Sequence, residues 1–166
     1  MEFRVAIQVE DNYLDKDSFK IINETMSSDI FPWFYNEEKV YDTGKDNLFN
    51  YQFTHLFYKD FKINSQHFEI LNPLLFQMNV KALVRVKANL NPISDRLIEY
   101  DKHEDQEFKC KGAIYYINSN NGYTMFDNEK VESKENRIVF FDTDIKHFGT
   151  NSTNCKNRMV INFNYF

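Results

Sequence analysis

Four polar side chains in the second half of the chain have types and spacings that could hold a metal and an anion together. They are His103 and Asp105, two positions apart, His147 further on, and Arg158 eleven residues after that. Two imidazoles and one carboxylate, with other coordination positions left open, are a donor set suited to non-haem Fe(II). An always-charged guanidinium beyond such a metal can take one end of a dicarboxylate through paired hydrogen bonds while the other end chelates the metal. His-x-Asp alone is weak evidence, because it arises by chance in roughly one chain in three of this composition. Its conjunction with a distal histidine and arginine is far more specific.

These residues need strands to position them. In an extended segment residues i and i+2 point to one side, so His103 and Asp105 should face one cavity while Glu104 turns away. His147 follows an apolar strand pattern over 138–142 that can return the chain to the same end of a sandwich. In Arg158-Met159-Val160-Ile161-Asn162, parity puts Arg158, Val160 and Asn162 on one face. Apolar residues on both faces of 158–166 predict a strand covered on both sides, with Phe163, Tyr165 and Phe166 as core. Upstream, Arg85, Lys87, Asn89 and Asn91 alternate along a strand, and their shared face could reach substrate or form a solvated edge.

From residue 80 onward the pattern is strands only, over 82–90, 113–118, 123–126, 137–142 and 158–166, separated by short polar turns. That rhythm is the one of an antiparallel sandwich or jelly roll. The first half mixes types. Strands are expected over 3–9, 33–41 and 51–58. A helix capped by Asp15 or Asp17 should run to about Ser27, with Phe19, Ile22 and Met26 on one face. Ser65 is a candidate cap for a second helix with an apolar stripe of Phe68, Leu71, Leu75 and Met78, which Pro73 kinks or splits. Helices first and strands after predict a mainly β fold with supporting helices packed on one face of a two-sheet sandwich. At 166 residues this is one domain, 1–166, with 1–80 as support and 81–166 as the β core.

Composition narrows the function classes. A net charge of −5 argues against a general electrostatic grip on nucleic acid or an anionic membrane. Met1-Glu2-Phe3-Arg4-Val5 shows no basic stretch leading into an apolar run, so no secretion signal is expected, and no run of eighteen apolar residues predicts a membrane span. Cys110 and Cys155 are too few for a disulfide framework and read as reduced thiols of a cytoplasmic protein.

The second half resembles the 2-oxoglutarate/Fe(II)-dependent oxygenases, specifically small members similar to prolyl 4-hydroxylases. The resemblance covers about residues 82 to 166. It rests on His103-Glu104-Asp105, on Ile114-Tyr115-Tyr116-Ile117-Asn118, on Asn121-Gly122-Tyr123-Thr124-Met125-Phe126 and on Asn136-Arg137-Ile138-Val139-Phe140-Phe141-Asp142. It closes with His147-Phe148-Gly149-Thr150 and Arg158-Met159-Val160-Ile161-Asn162-Phe163.

What the resemblance implies is a double-stranded β-helix, a cupin-like form of jelly roll, with His103, Asp105 and His147 as Fe(II) ligands and catalytic centre. Arg158 and Tyr116 would hold the distal carboxylate of 2-oxoglutarate, and Asn162 would add a contact to the cosubstrate or an ordered water. Dioxygen is the other cosubstrate and ascorbate a candidate accessory reductant. The reaction would be hydroxylation of an unidentified prime substrate, a protein side chain such as prolyl or a small metabolite, with release of succinate and CO2. Many relatives carry a hydroxyl residue two positions after the arginine. Here it is Val160, so a second side-chain donor must come from elsewhere or be absent.

Each residue also has a plainer reading. His55 and His67 are expected to be hydrogen-bonded structural histidines. The cluster Phe31-Pro32-Trp33-Phe34-Tyr35 is expected to be core or a lid rather than a stacking platform. The alternative for the whole chain is a non-catalytic cupin-like module that binds a metal or ligand, since a fold does not dictate a function.

Overall fold

A computed structural model describes residues 7–37 and 47–166. Local chemistry decides where the first elements begin. After strand β1 (Ile7–Glu10), the Asp15 carboxylate accepts from the backbone N–H groups of Asp17 and Ser18 at 3.0 and 2.9 Å and starts helix α1 (Lys16–Ser27). Ile22 and Met26, one turn apart on α1, are fully buried. Strand β2 (Phe34–Asn36), a short 3-10 turn at Asn47–Phe49, β3 (Gln52–Lys59) and β4 (Lys62–Ile63) follow. The predicted second helix is in two pieces, a 3-10 turn at Phe68–Leu71 and α2 (Asn72–Gln77), because Pro73 can begin a helical turn but cannot continue one. Ser65 does not cap it: its hydroxyl instead accepts from the His67 N–H and contacts the His55 ring. The strand expected over 33–41 is confined to β2 among the described residues, and residues 3–6 and 38–41 lie outside them.

The remaining strands are β5 (Leu83–Pro92), β6 (Lys111–Tyr116), β7 (Tyr123–Phe126), β8 (Glu129–Glu132), β9 (Arg137–Asp142), β10 (His147–Gly149) and β11 (Asn157–Tyr165). They form two antiparallel sheets. The larger has the order β1-β9-β6-β11-β5-β3-β2, with β4 on β3, and the smaller has the order β10-β7-β8. The smaller sheet gains a further edge from residues 99–103, through bridges from Glu99 to Thr150 and from His103 to His147. Along the chain, successive segments therefore pass between the large sheet and the small one, as in a double-stranded β-helix.

Parity along β11 sorts the core. Met159, Ile161, Phe163 and Tyr165 point outward and pack with Ile22, Met26, Leu71 and Leu74, so the helices cover the outer face of the large sheet. Val160 points inward with Ile114, Tyr116, Phe126, Val139 and Phe141, between the two sheets. The expectation that Phe166 is core fails: it lies one position past the end of β11, is 53 % exposed and stacks on Phe108. Among the described residues no helix is long and apolar enough to cross a membrane.

Candidate metal centre

His103 and His147 face each other across the small sheet's edge. Each backbone N–H donates to the other's carbonyl at 3.0 Å, which puts the two imidazoles on one side with ring centroids 4.8 Å apart. Both rings are oriented alike: Nδ1 lies 3.1 Å from the carbonyl two residues earlier, Asp101 for one and Ile145 for the other. A proton on Nδ1 donated to that carbonyl leaves each Nε2 lone pair free, the arrangement that orients histidine ligands at metal sites. Asp105 lies in a bend just past the bridge rather than in a regular strand, with Oδ1 3.8 Å from His103 Nε2 and 3.7 Å from His147 Nε2. The three ligand atoms lie within 4.8 Å of one another. Glu104 is exposed at the cavity's mouth.

The surroundings keep this donor set in its binding form. Burial pushes the Asp105 carboxyl up, but His147 and His103 when protonated, Arg85 and the Asn164 hydrogen bond pull the other way and hold it below its ordinary value. Asn164 Nδ2 donates to Asp105 Oδ2 at 3.0 Å, and Gln106 Nε2 donates to Asn164 Oδ1 at 2.8 Å, fixing the amide that fixes the carboxylate. Arg85 Nη2 lies 3.5 Å from Asp105 Oδ1. Burial lowers the His147 pKa, so a neutral imidazole is favoured. Its Nε2 is buried without a hydrogen-bond partner, so that lone pair is free to coordinate.

At the other end of the same cavity Arg158 is 2 % exposed. Its Nε donates to Ser133 Oγ at 2.7 Å, Nη2 to Thr124 Oγ1 at 2.9 Å and Nη1 to the Thr150 carbonyl at 3.3 Å. Among the described residues no carboxylate pairs with it, and burial of an uncompensated cation is costly. An anion from outside the chain would meet that charge. Tyr116 stands behind the guanidinium, which lies 5.6 Å from its ring centre, and its hydroxyl donates to Thr124 Oγ1 at 2.9 Å. Thr124 accepts from both groups, so its own hydroxyl proton can be donated into the cavity. Val160 has no hydroxyl to offer there.

The cavity between these two ends has a volume of about 190 Å³. Arg85, Lys87, Asn89 and Asn91 of β5 all line it, as does Asn162 of β11, so the alternating face of β5 turns inward and is not a solvated edge. Among the described residues, five buried side-chain polar atoms lack a hydrogen-bond partner within the protein: Arg85 Nε, Asn89 Oδ1, Asn91 Oδ1, His147 Nε2 and Asn162 Oδ1. Every one belongs to a residue lining this cavity. Buried polar groups are normally satisfied, so the partners of these atoms must come from what fills the cavity, water or a ligand. Sequence reasoning did not single out Asn164, Tyr100, Thr124 or Ser133. Asn164 continues the parity of Arg158 and Asn162. Tyr100 lines the cavity near Arg158, but nothing in its local pattern announced that.

Other singled-out residues lie elsewhere. His55 is buried in an aromatic cluster with Phe31 and Phe57, its ring nitrogens 2.7 Å from the Pro32 carbonyl and the Ser65 hydroxyl, and His67 packs on Phe31. His55 is thus hydrogen-bonded as expected, the His67 ring is seen packing on Phe31, and Phe31 and Trp33 pack together in this core.

No protein-family model and no curated protein matches the sequence. Solved structures do match in shape. A viral collagen prolyl hydroxylase from Paramecium Bursaria Chlorella virus-1, solved with 2OG, superposes with a TM-score of 0.62 at 11 % identity, covering 96 % of this chain and 94 % of that one. A prolyl hydroxylase from Trichoplax adhaerens, in complex with a hypoxia inducible factor peptide fragment, gives 0.64 at 13 % identity over 97 % and 83 %. A 2OG-Fe(II) oxygenase family oxidoreductase from Burkholderia pseudomallei gives 0.71 at 11 % identity over 98 % and 85 %. Over nearly its whole length, then, this chain has the fold of the prolyl-hydroxylase-like 2-oxoglutarate/Fe(II) oxygenases.

Proposed function

We propose that the protein is an Fe(II)- and 2-oxoglutarate-dependent dioxygenase that hydroxylates a prime substrate, with 1–166 acting as a single catalytic unit. The observation that carries this reading is one cavity with two imidazoles and a carboxylate at one end and a buried, carboxylate-free arginine at the other. His103, Asp105 and His147 would hold the metal through Nε2 and a carboxylate oxygen. Arg158, with Thr124 and with Tyr116 behind it, would hold the distal carboxylate of 2-oxoglutarate. Bound together, iron and 2-oxoglutarate supply oxidative decarboxylation to succinate and CO2 coupled to hydroxylation of a C–H bond.

The chain's own part is placement and dryness. Asn164 and Arg85 keep the Asp105 carboxylate ionised and aimed. The Nδ1-to-carbonyl hydrogen bonds keep both imidazoles in the metal-binding tautomer. Val160 and Ile114 wall the cavity with apolar surface, so charges inside it interact more strongly than in water. The similar proteins make a prolyl side chain one candidate for the prime substrate. Free thiols at Cys110 and Cys155 support a reducing, cytoplasmic setting. The test is anaerobic addition of Fe(II) and 2-oxoglutarate: the weak visible charge-transfer band of the chelate should appear, and admitting oxygen should yield succinate. A protein that binds Fe(II) but gives no band with 2-oxoglutarate would defeat the reading.

A further inference from the structure

Between the metal ligands and Arg158 the cavity wall carries a positive charge that neither end uses. β11 and β5 pair so that Arg158 sits opposite Asn91, Val160 opposite Asn89, Asn162 opposite Lys87 and Asn164 opposite Arg85. Rungs on one face of a sheet are about 7 Å apart. Lys87 and Asn162 therefore stand one rung from the pair that grips Asp105 and two rungs from Arg158.

The charges can be followed one by one. Asp105 and one carboxylate of 2-oxoglutarate would meet the two charges of the metal, and the other carboxylate would meet Arg158. Arg85 and Lys87 are then left without a counter-charge. Arg85 at least touches the metal carboxylate, at 3.5 Å. Lys87 forms no ion pair with any described carboxylate: Asp105 attracts it from a distance but is already gripped by Arg85, and Arg85 and Lys59 both repel its charge. Burial, helped by Arg85, pushes its pKa down to about 8, which still leaves the ammonium largely protonated at neutral pH. Around it are orphaned atoms: Asn162 Oδ1 on the facing rung, Asn89 Oδ1 one step along and Arg85 Nε on the other side. An ammonium offers three donors and no acceptor, so what it lacks is an acceptor, preferably an anion.

We propose that Lys87, flanked by Asn162 and Asn89, is an anion subsite for the prime substrate, and that this substrate is a small carboxylic acid. Its carboxylate sits against the Lys87 ammonium, and a hydroxyl or amine on the acid donates to the asparagine oxygens. This rests on the reading above for the use of the two ends of the cavity. The cavity of about 190 Å³ has also to take the metal and 2-oxoglutarate, so the space left beside Lys87 suits a small free acid, pockets for drug-sized ligands starting near about 300 Å³.

The experiment uses Mn(II) in place of Fe(II), so that no turnover occurs, and saturating 2-oxoglutarate. Calorimetry then compares lactate, a carboxylate with one hydroxyl donor, with lactamide, its neutral analogue. Wild-type protein should bind lactate more tightly than lactamide by roughly tenfold to a hundredfold, the range of one charge-assisted hydrogen bond. Lys87→Met should lose that preference while keeping its 2-oxoglutarate affinity, and Lys87→Arg should retain it. Equal binding of lactate and lactamide by wild type overturns the proposal whatever the variants do. So does a Lys87→Met protein, or a Lys87→Gln protein if the first does not fold, that keeps the preference or loses 2-oxoglutarate with it. If wild type does not take up Mn(II) and 2-oxoglutarate at all, the parent reading has failed, and the same lactate and lactamide titration on the metal-free protein still decides the subsite.

Discussion

Replacing Arg158 with alanine should separate cosubstrate binding from both metal binding and folding. The side chain is 2 % exposed and donates to Ser133, Thr124 and Thr150. Each of those bonds from a charged donor contributes about 1.5 to 3 kcal/mol. Against them stands the burial of a cation without a described carboxylate partner, an effective penalty of several kcal/mol. The two terms largely cancel in the ligand-free protein, so its melting temperature should move by no more than several degrees, at about 2–4 °C per kcal/mol for a domain of this size. Binding is different. With 2-oxoglutarate present the pair is complete, and truncation strands a buried carboxylate at a cost of about 3 to 5 kcal/mol. That corresponds to a weakening of roughly a hundredfold to several thousandfold. Calorimetric titration of 2-oxoglutarate into Mn(II)-loaded protein reads it directly, with Mn(II) affinity as the control. Arg158→Lys should recover only part, because one point charge replaces a planar fork. Folded Arg158→Ala protein with unchanged 2-oxoglutarate affinity would refute the reasoning, and loss of Mn(II) along with 2-oxoglutarate would show that the two ends of the cavity are not separate.

Alanine at His103, Asp105 or His147 should abolish divalent-metal binding in a protein that still melts cooperatively, and Asn164→Ala should weaken the metal by about 10–100-fold through loss of the Asp105 hydrogen bond, both measured by metal titration. Gly122→Ala should weaken 2-oxoglutarate without touching a ligand, since a Cβ there would lie 2.6 Å from Arg158 Cδ and against the Asn151 carbonyl; wild-type affinity in this variant would show that Arg158 has slack. Hydrogen bonds from Arg137 and then Lys134 hold the Asp11 carboxyl at about 2, below its ordinary value of 3.8, so its contribution is present above about pH 4 and lost as pH falls toward 2. Because Asp11 is partly exposed, Asp11→Asn should cost about 1 kcal/mol or less at neutral pH and nothing near pH 2, as read by urea melts at both. Phe163→Ala, which empties a fully buried site, should cost about 3 to 5 kcal/mol, whereas Phe166→Ala should cost far less in the same melts.

Strand periodicity made the inward face of β11 and the alternating face of β5 readable before any coordinates, because an i, i+2 rule needs no knowledge of partners. It could have reached Asn164, which is simply the next inward residue. Thr124 and Ser133 were beyond it, since they meet Arg158 across the gap between two sheets. Strand β8 was hidden for another reason: in Glu129-Lys130-Val131-Glu132 only Val131 is buried, so an edge strand of the small sheet carries almost no apolar signal. The segment holding His103 pairs by isolated bridges, and its extended form is imposed by β10 rather than by its own residues. Phe166 misled because an aromatic residue continuing a buried strand reads as core, although β11 ends at Tyr165 and the Phe166 ring lies exposed against Phe108.

The position of β11 sets the order in which this protein can come into being. It is wedged between β5 and β6, which precede it by tens of residues and do not pair with each other. Until it inserts, the large sheet is split, and neither Arg158 nor the Asn164 that steers Asp105 is in place. Contacts so far apart along the chain form late and slowly. In a zinc finger, metal capture drives folding. Here the dependence runs the other way: a chain emerging from the ribosome would have to close its sheet before it could hold metal well, so metal occupancy would report that folding is finished and would do little to bring it about.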